Sequence, residues 1–508
     1  MNKAFYITTP IYYVNDKPHI GHMYTSLACD VIARFKRLDG YDVHFVTGTD
    51  EHGQKIQKAA SKLSITCQDF VDNLSQRFMQ LLSAANISND YFIRTSETRH
   101  KAFVQNIWKQ LIESDNIYLG SYNGWYSVRD EAFYHEDELI NGLAPTGATV
   151  EWVEEESYFF RLSKWQQALL DFYKHNPDFI SPKNRYNEVI SLIEKDGLRD
   201  LSVSRISVEW GIPVPNNAKH TIYVWLDALC NYLSALQNTN NGYQKYWPCN
   251  LHIIGKDILR FHAIYWPAFL MALDIPLPKK IFAHGWWTNN GEKMSKSLGN
   301  TIDPHDMIKE YGTDYVRYFM MREVPFGNDG NYSQDALISR INADLANNIG
   351  NLVQRVTSLV HRHFNAVIPN TPSPKSYDDA DNALLNSVYE SVAPVRQHID
   401  NQSIHLALEH IISIANSANI YIDRNAPWKL IKTHKDRAGH VLYILLESIR
   451  VIAILLQPFI PQSARNILLQ IGIVVDECTV PFAHCSPDYA IKSKTPIPTP
   501  SVIFKKLL

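Results

Sequence analysis

Apolar residues near the start of the chain alternate between strand-like runs and a helical spacing. Residues 4–8 form one short apolar run, and residues 41–46 form a second. Between them, apolar positions recur three or four residues apart, at Leu27, Ala28, Val31, Ile32, Phe35 and Leu38. This spacing predicts a helix between two strands, with Gly40 at its end. We therefore expect an α/β fold built on a parallel sheet.

The second half of the chain follows a helical period almost throughout. Apolar residues recur at Ile341, Leu345, Ile349, Leu352, Val356, Leu359 and Val360, and the windows 404–422 and 438–457 repeat this behaviour. The pattern predicts an all-α helix bundle from about residue 331. Its tail, from about residue 486, contains proline and serine. We expect this tail to pack as an extended strap or to be disordered.

Strand-like, aromatic-rich pieces such as 124–128 and 131–134 interrupt the α/β pattern and end at the turn-rich segment 210–215. They indicate an insertion within the sheet. The predicted divisions are the first half of the α/β domain, the insertion, the second half, a lysine-rich loop with a short adapter, and the helical domain with its tail. Their ranges are 1–115, 116–220, 221–285, 286–330 and 331–508.

Composition and charge are ordinary for a globular protein of several domains. The chain has 508 residues, of which 45% are hydrophobic and 20% charged, with a net charge of −3. Any RNA-binding surface must then be a local basic patch. The first strand follows the initial methionine directly, so we expect no targeting peptide. The most apolar run, 441–456, contains Glu447 and Arg450, which favours a core helix over a membrane span.

Two short motifs carry the candidate chemistry. The first is His19-Ile20-Gly21-His22, at the predicted start of the first helix, and the second is Lys293-Met294-Ser295-Lys296-Ser297. A glycine admits close approach of a nucleotide, and a helix amino terminus favours phosphate. Histidine donors and lysine cations are suited to the charge that develops when a carboxylate attacks ATP and pyrophosphate leaves. Either motif alone is more typical of an exposed turn. The pair, each after a predicted strand, favours carboxylate activation by ATP.

Two aspartates follow predicted strands. Asp50 follows the second strand, where a carboxylate can bind a substrate ammonium or cap a helix. Asp257 follows Gly255-Lys256 after the strand 251–254, where a carboxylate often accepts ribose hydroxyls. The sequence contains neither Gly-x-Gly-x-x-Gly nor Gly-x-x-x-x-Gly-Lys-Ser/Thr, so dehydrogenase and P-loop interpretations lack support.

Four further segments make a resemblance specific. They are Pro10-Ile11-Tyr12-Tyr13, Gly48-Thr49-Asp50-Glu51-His52-Gly53, Val224-Trp225-Leu226-Asp227-Ala228-Leu229 and Gly255-Lys256-Asp257-Ile258-Leu259-Arg260-Phe261-His262. With the two motifs, they make the chain resemble the class I aminoacyl-tRNA synthetases, and among them the methionyl-tRNA synthetase family, over nearly its whole length. The resemblance implies a Rossmann-like catalytic domain, a connective insertion and an anticodon-binding helix bundle. It also implies that methionine is activated with ATP and transferred to the terminal adenosine of tRNA(Met).

The resemblance implies roles for individual residues. His19, His22, Lys293 and Lys296 correspond to the catalytic groups, and Gly21, Gly255 and Asp257 complete the ATP site. The residues around methionine are Ile11, Tyr13, Asp50, Trp225, Ala228, Leu229, Tyr232, Ile258 and His262. Aromatic faces and a weak donor, Tyr13 or His262, suit a thioether. Leu229 departs from the proline of some relatives. Asn351, Arg355 and Trp428 correspond to readers of the CAU anticodon, which is single-stranded.

Cofactors and partners follow from the same resemblance. We expect ATP with Mg²⁺, held mainly by phosphates and water, and we expect L-methionine and tRNA(Met) as substrates. Many relatives carry a zinc knuckle in the insertion, but no cysteine lies between Cys67 and Cys230, which predicts a zinc-free insertion. The scattered cysteines favour a reducing compartment, so we expect a cytoplasmic protein without a membrane partner. No appended dimerisation domain is evident after the bundle, and we expect a monomer.

Three rivals remain at this point. A sister synthetase for another amino acid is disfavoured by the insertion of about 100 residues, which is too short for an editing domain. The length and the helical domain exclude a small nucleotidyltransferase. A tRNA-binding paralogue without activity usually loses one of the signature motifs, and here both are intact.

Overall fold

A six-stranded parallel sheet forms the centre of the catalytic half in the computed structural model, which describes residues 3–130, 132–134, 136–294, 300–474 and 479–508. Its strands lie in the order β3 (Tyr91–Arg94), β2 (Asp42–Asp50), β1 (Ala4–Tyr13), β12 (Leu251–Gly255), β13 (Ile281–His284) and β7 (Ile180–Ser181), and every neighbouring pair is parallel. The predicted α/β class with a Rossmann-like sheet is confirmed. The first part of the chain consists of β1 (Ala4–Tyr13), α1 (Ile20–Leu38), β2 (Asp42–Asp50), α2 (Gln54–Lys62), α3 (Cys67–Ala84), β3 (Tyr91–Arg94) and α4 (Thr98–Glu113).

The insertion forms a separate antiparallel sheet in the order β5-β4-β6-β8 and a small sheet β10-β11-β9. One strand within the predicted range 116–220 belongs to the main sheet instead, because Ile281 and Phe282 of β13 pair with β7. The elements of this inserted segment are β4 (Ile117–Ser127), β5 (Ala132–Tyr134), β6 (Glu151–Phe160), α5 (Gln166–His175), β7 (Ile180–Ser181), α6 (Lys183–Asp196), β8 (Leu201–Ser202), β9 (Ser204–Arg205), β10 (Pro213–Val214) and β11 (Asn217–Ile222).

The chain then returns to the main sheet and closes it. This part of the chain adds two strands to the sheet, and a π-helical turn, Phe261–Tyr265, lies between them. The elements are α7 (Val224–Leu229), α8 (Asn231–Ser234), α9 (Gly242–Tyr246), β12 (Leu251–Gly255), α10 (Trp266–Ala272) and β13 (Ile281–His284). Because β1, β2, β12 and β13 run in the same direction, the residues that follow them meet at one edge of the sheet.

An adapter connects the sheet to the helical domain. It pairs β14 (Trp287–Asn289) with β15 (Glu292–Lys293) and, in parallel, with β16 (Gly330–Tyr332). Between them lie α11 (Pro304–Tyr311) and α12 (Thr313–Arg322). Arg317 of α12 is buried and contacts Asp30 of α1 at 2.7 Å, while its guanidinium also donates to the carbonyls of Pro458 and Phe459. This one side chain therefore joins the helix of the first motif to the helical domain.

The helical domain confirms the predicted bundle. Its elements are α13 (Gln334–Arg340), a π-helical stretch (Ile341–Gly350), α14 (Asn351–His363), α15 (Asp379–Tyr389), α16 (Val392–Asp400), α17 (Ile404–Asn425), α18 (Pro427–Thr433), α19 (Lys435–Leu456) and α20 (Pro461–Gln470). Of the described helices, α19 alone has the length and composition of a membrane span, and it is almost wholly buried within the bundle. Buried Ile491, Ile497 and Phe504 pack the tail against the bundle as a strap.

Candidate active site

Two histidines cap the amino terminus of α1. His19 is the N-cap, and its Nδ1 accepts the Gly21 N–H at 3.1 Å. His22 Nδ1 in turn accepts the backbone N–H of His19 at 3.1 Å, and the two rings stack with centroids 3.7 Å apart. The imidazoles thus replace the serine and glutamate of an ordinary capping box. The result is a fixed pair of rings at the positive end of a helix.

These contacts determine where the protons lie. Shielding from water lowers the pKa of His19, and it lowers that of His22 further, so both rings are neutral at pH 7. Each Nδ1 accepts a backbone N–H, and a neutral imidazole has one proton, which must then be on Nε2. Both Nε2 atoms are therefore donors, suited to phosphate oxygens. Tyr12 supports the arrangement because its ring lies edge-on to His22.

One glycine lies between the two histidines in the chain, and a second glycine, at the end of β12, is followed two residues later by an aspartate. A Cβ on Gly21 would lie 3.0 Å from the His19 ring, and one on Gly255 would lie 2.5 Å from Asp257 Oδ1. Neither position therefore accepts a larger residue without displacing its neighbour. Asp257 lies on the turn after β12, and its Oδ1 accepts the indole N–H of Trp286 at 3.1 Å.

Three consecutive residues at the end of β2, Asp50 to His52, have side chains with different surroundings. Asp50 lines a cavity of about 550 Å³ that holds the candidate site, and its backbone pairs with Tyr13. Glu51 is buried and accepts Arg94 Nε at 2.7 Å. His52 is also buried, and its Nδ1 lies 2.6 Å from Asp227 Oδ2. The last two side chains hold the turn, while Asp50 lines the cavity.

Asp227 links the β2 turn to α7, which carries part of the predicted methionine pocket. Its other oxygen lies 2.7 Å from His100 Nε2, and all three side chains are buried. Burial by itself would raise the Asp227 pKa, but His52 and His100 beside the carboxylate hold it at about 2. The carboxylate is therefore ionised, and it fixes the helix between Trp225 and Ala228.

Aromatic rings form the far wall of the cavity. Trp225 stacks on Phe261 with centroids 3.6 Å apart and lies edge-on to His262. The Tyr232 hydroxyl lies 2.6 Å from His262 Nε2, and His262 Nδ1 lies 3.0 Å from the Ile258 carbonyl. The wall is thus apolar apart from one ordered hydroxyl–imidazole pair.

The contacts of His262 bear on its predicted role as the donor to sulfur. A carbonyl only accepts, so the Nδ1 of His262 carries the proton and donates it to Ile258. Burial lowers the His262 pKa to about 4, so the ring is neutral and its Nε2 accepts from Tyr232. His262 then has no proton to offer a thioether. Tyr13, which also lines the cavity, remains the candidate donor.

One cavity of about 550 Å³ brings these groups together. Every predicted methionine residue lines it, and so do His19, Gly21, His22, Gly255 and Asp257. Sequence reasoning missed several other lining residues, among them Thr25, Lys55, Asp130, His284 and Trp286. Thr25 lies three residues beyond the first motif, and its hydroxyl lies 2.7 Å from His284 Nε2. Strand ends and the helical period could have indicated Thr25 and His284, but no local signal marks Asp130 in the insertion.

The second motif lies beside this cavity only in part. Glu292 and Lys293 form β15, and Met294 lines the cavity. The predicted Lys296 lies outside the described residues, and so does the side chain of Lys293. The position of Met294 brings the beginning of the motif to the ATP end of the site.

The three predicted anticodon residues lie on α14 and α18. Arg355 is one helical turn beyond Asn351, and its guanidinium lies 5.2 Å from the centroid of the Trp428 ring. The same guanidinium pairs with Asp423 at 2.6 Å, and Trp428 is 38% exposed. A half-exposed indole beside an arginine offers a surface for base stacking. A second arginine, Arg437 on α19, forms ion pairs with Asp378 and Asp381.

Within the described ranges, no group of three or more histidine, cysteine, aspartate or glutamate side chains is arranged to hold a metal ion. The described cysteines are free thiols, and four of the five are buried.

A parallel sheet with paired histidines at the first helix and an amino-acid pocket beside them defines a class I aminoacyl-tRNA synthetase. The sequence matches the family described as tRNA synthetases class I (M) over residues 5–151 and 138–357. Residues 371–508 match the anticodon-binding domain of methionyl tRNA ligase.

Similar proteins extend the match to the whole chain. Methionine–tRNA ligase of Rickettsia conorii is 56% identical over 100% of both chains, and that of Brucella suis is 48% identical over 99% and 98%. The solved structure of Mycobacterium tuberculosis methionyl-tRNA synthetase in complex with methionyl-adenylate has a TM-score of 0.94, with 46% identity and 99% coverage of both chains. The chain belongs to the methionyl-tRNA synthetase family, and this prediction is confirmed.

Proposed function

We propose that this chain is a ligase that activates L-methionine with ATP and transfers the methionyl group to the 3′-terminal adenosine of tRNA(Met). Both initiation and elongation of translation need that product. The observation that carries the proposal is the shared cavity, in which the histidine pair, Asp257 and the aromatic pocket meet. Membership of the methionyl family and the adenylate bound by a 46% identical relative support it.

At the ATP end, we assign phosphate contacts to His19 and His22. Their Nε2 protons stabilise the charge on the α-phosphate while the methionine carboxylate attacks, because positioned donors act most strongly where charge develops. Gly21 leaves room for the adenosine, and Asp257 accepts the ribose hydroxyls. Lys293 and Lys296 neutralise the departing pyrophosphate. These groups need only position and charge, so no covalent intermediate forms on the enzyme.

At the methionine end, we assign the substrate ammonium to Asp50. A charge-assisted hydrogen bond of this kind contributes about 1.5–3 kcal/mol. The thioether lies against Trp225, Tyr232 and the remaining apolar wall. A polarizable sulfur gains from contact with aromatic rings, and this favours methionine over isosteric aliphatic residues.

At the tRNA, we assign the CAU anticodon to the surface formed by Asn351, Arg355 and Trp428. Unpaired bases are read by stacking and by hydrogen bonds to their edges. The exposed indole and the guanidinium beside it provide both kinds of contact.

We further propose that Mg²⁺ accompanies ATP through its phosphates, without a protein carboxylate, and that the insertion works without zinc. The enzyme is proposed to act as a cytoplasmic monomer. Elemental analysis of the purified protein tests the zinc proposal, and sedimentation equilibrium tests the monomer.

The decisive experiment is ATP–pyrophosphate exchange with each of the twenty amino acids, followed by charging of tRNA(Met). Exchange stimulated by methionine alone, with methionyl-tRNA as the final product, is the expected result. Exchange with another amino acid would reassign the chain to a sister specificity. A folded protein with no exchange would favour the tRNA-binding paralogue.

A further inference from the structure

Asp329 belongs to the adapter, outside the cavity and outside every motif. It lies after α12, on the turn that leads into β16, and its side chain is 54% exposed. An isolated surface carboxylate of this kind would have no particular role. This carboxylate, however, contacts two residues at the ATP end of the site. Both of its oxygens lie 2.7 Å from Lys256 Nζ, and Oδ1 also accepts the backbone N–H of Trp286 at 2.8 Å.

Both contacted residues adjoin Asp257, the proposed ribose ligand. Lys256 precedes it in the chain, and Trp286 donates its indole N–H to Asp257 Oδ1 at 3.1 Å. The Lys256 ammonium also lies 4.4 Å from the centroid of the Trp286 ring, a cation–π distance. Asp329, Lys256, Trp286 and Asp257 therefore form one closed group of contacts.

Packing alone does not fix the Trp286 ring, because the residue is 42% exposed. The ring contacts two charged groups, the Lys256 ammonium and the Asp257 carboxylate. Asp329 holds the first of these groups and also the backbone N–H of Trp286. An indole free to rotate would leave Asp257 Oδ1 without this donor. A carboxylate that loses one of its orienting hydrogen bonds presents its oxygens to the ribose in more than one geometry.

The backbone around Asp329 is closely packed against that of Trp286. A Cβ on Gly285 would lie 2.4 Å from the Asn328 carbonyl carbon, and Gly330 N donates to the Trp286 carbonyl at 2.7 Å. The pairing of β14 with β16 continues this contact. The position of the Asp329 carboxylate is thus determined by the main chain on both sides.

We infer that Asp329 is a positioning residue for the ATP ribose, which holds Lys256 and Trp286 so that the indole orients Asp257. This rests on the proposed function, and it adds to the ATP site a residue that no motif marks. It also makes the adapter part of that site. The adapter joins the lysine loop to the helical domain, so nucleotide binding and the adapter are physically connected.

The test begins with Asp329→Ala, Asp329→Asn and the control Asp335→Ala, an exposed aspartate on neighbouring α13. Methionine-dependent ATP–pyrophosphate exchange is measured with ATP varied and then with methionine varied. We expect the KM for ATP to rise about tenfold in Asp329→Ala, with the KM for methionine within about twofold of the parent. Asp329→Asn keeps an acceptor for the Trp286 N–H and should recover part of the loss. The control should match the parent.

A second readout separates positioning from general damage. The parent enzyme should prefer ATP over 2′,3′-dideoxy-ATP, because the analogue lacks the hydroxyls that Asp257 accepts. That preference should fall about tenfold in Asp329→Ala, and also in Trp286→Phe, which keeps an aromatic ring but loses the indole N–H donor. An unchanged KM for ATP in Asp329→Ala would overturn the inference. So would a preserved ribose preference with equal losses for both substrates. A parent without methionine-dependent exchange would overturn the proposed function as well.

Discussion

Replacing Asp227 by alanine removes a carboxylate that lies between two buried histidines. His52 and His100 approach its two oxygens at 2.6 and 2.7 Å, with all three side chains excluded from water. Hydrogen bonds to a charged group contribute about 1.5–3 kcal/mol each, and breaking a buried charged network costs about 3–5 kcal/mol. His100 keeps its contact with Ser234, so we expect a loss near the lower limit, about 3 kcal/mol.

Asp227→Ala should also weaken methionine binding, because Asp227 holds α7 between Trp225 and Ala228. We expect the KM for methionine to rise about tenfold in Asp227→Ala, while the KM for ATP changes little. Urea unfolding followed by tryptophan fluorescence measures the first effect, and pyrophosphate exchange measures the second. Asp178→Ala, at an exposed position just before β7 of the main sheet, is the matched control. A variant within about 1 kcal/mol of the parent, with an unchanged KM for methionine, would refute this account.

Lowering the pH should remove the stabilisation by the ionised Asp227 carboxylate from the parent protein as well. The Asp227 pKa is about 2 in the folded chain, below its ordinary value of 3.8, so its stabilisation is present above pH 4 and is lost as the pH falls towards 2. The total is about 2 kcal/mol, of which roughly 1 kcal/mol is lost at pH 3. The stability difference between the parent and Asp227→Asn should therefore shrink between pH 5 and pH 3. A constant difference would contradict the hydrogen bonds assigned to the ionised Asp227 carboxylate.

The other predictions address the remaining parts of the chain. Lys296→Ala should slow adenylate formation by orders of magnitude in single-turnover assays with little change in methionine affinity; equal losses in binding and rate would oppose its role at pyrophosphate. Trp428→Ala should lower kcat/KM for tRNA(Met) about 10- to 100-fold and leave pyrophosphate exchange intact, whereas loss of both would indicate a structural tryptophan. Arg317→Ala leaves Asp30 buried beside Arg34 alone and should lower the free energy of unfolding by about 3 kcal/mol; a urea midpoint equal to the parent's would contradict this.

The elements that sequence reasoning located well are those with a strong local period. The strand 281–284 and the helix after Gly21 have buried faces that repeat within a few residues, so neighbouring positions alone reveal them. The long helices of the bundle were predicted for the same reason. Short pieces were harder to predict. The strand Ile180–Ser181 has only two residues, which is too short for a recognisable period. It joins the main sheet by pairing with β13, which is about 100 residues further along the chain.

The candidate site shows the same contrast between residues with a local sequence signal and residues that only tertiary contacts bring together. Motif residues such as His19 and Asp50 were recognised because they follow strands, and their chemistry is legible from residue type. The donor role considered for His262 depended on its neighbours, and the Ile258 carbonyl and Tyr232 hydroxyl assign its protons differently. Asp130 and Lys55 line the cavity without a local signal that relates them to it.

The sequence by itself determined the fold class and the helical second half, because hydrophobic period is a local property. The motifs carried the family resemblance, and that resemblance implied most residues of the candidate pocket. Only the tertiary structure decided which side chains share a hydrogen bond. The histidine tautomers, the ionised Asp227 and the contact of Asp329 with the ATP end all join residues far apart in the chain. Burial and charge at such contacts depend on the folded surroundings, which no window of sequence contains.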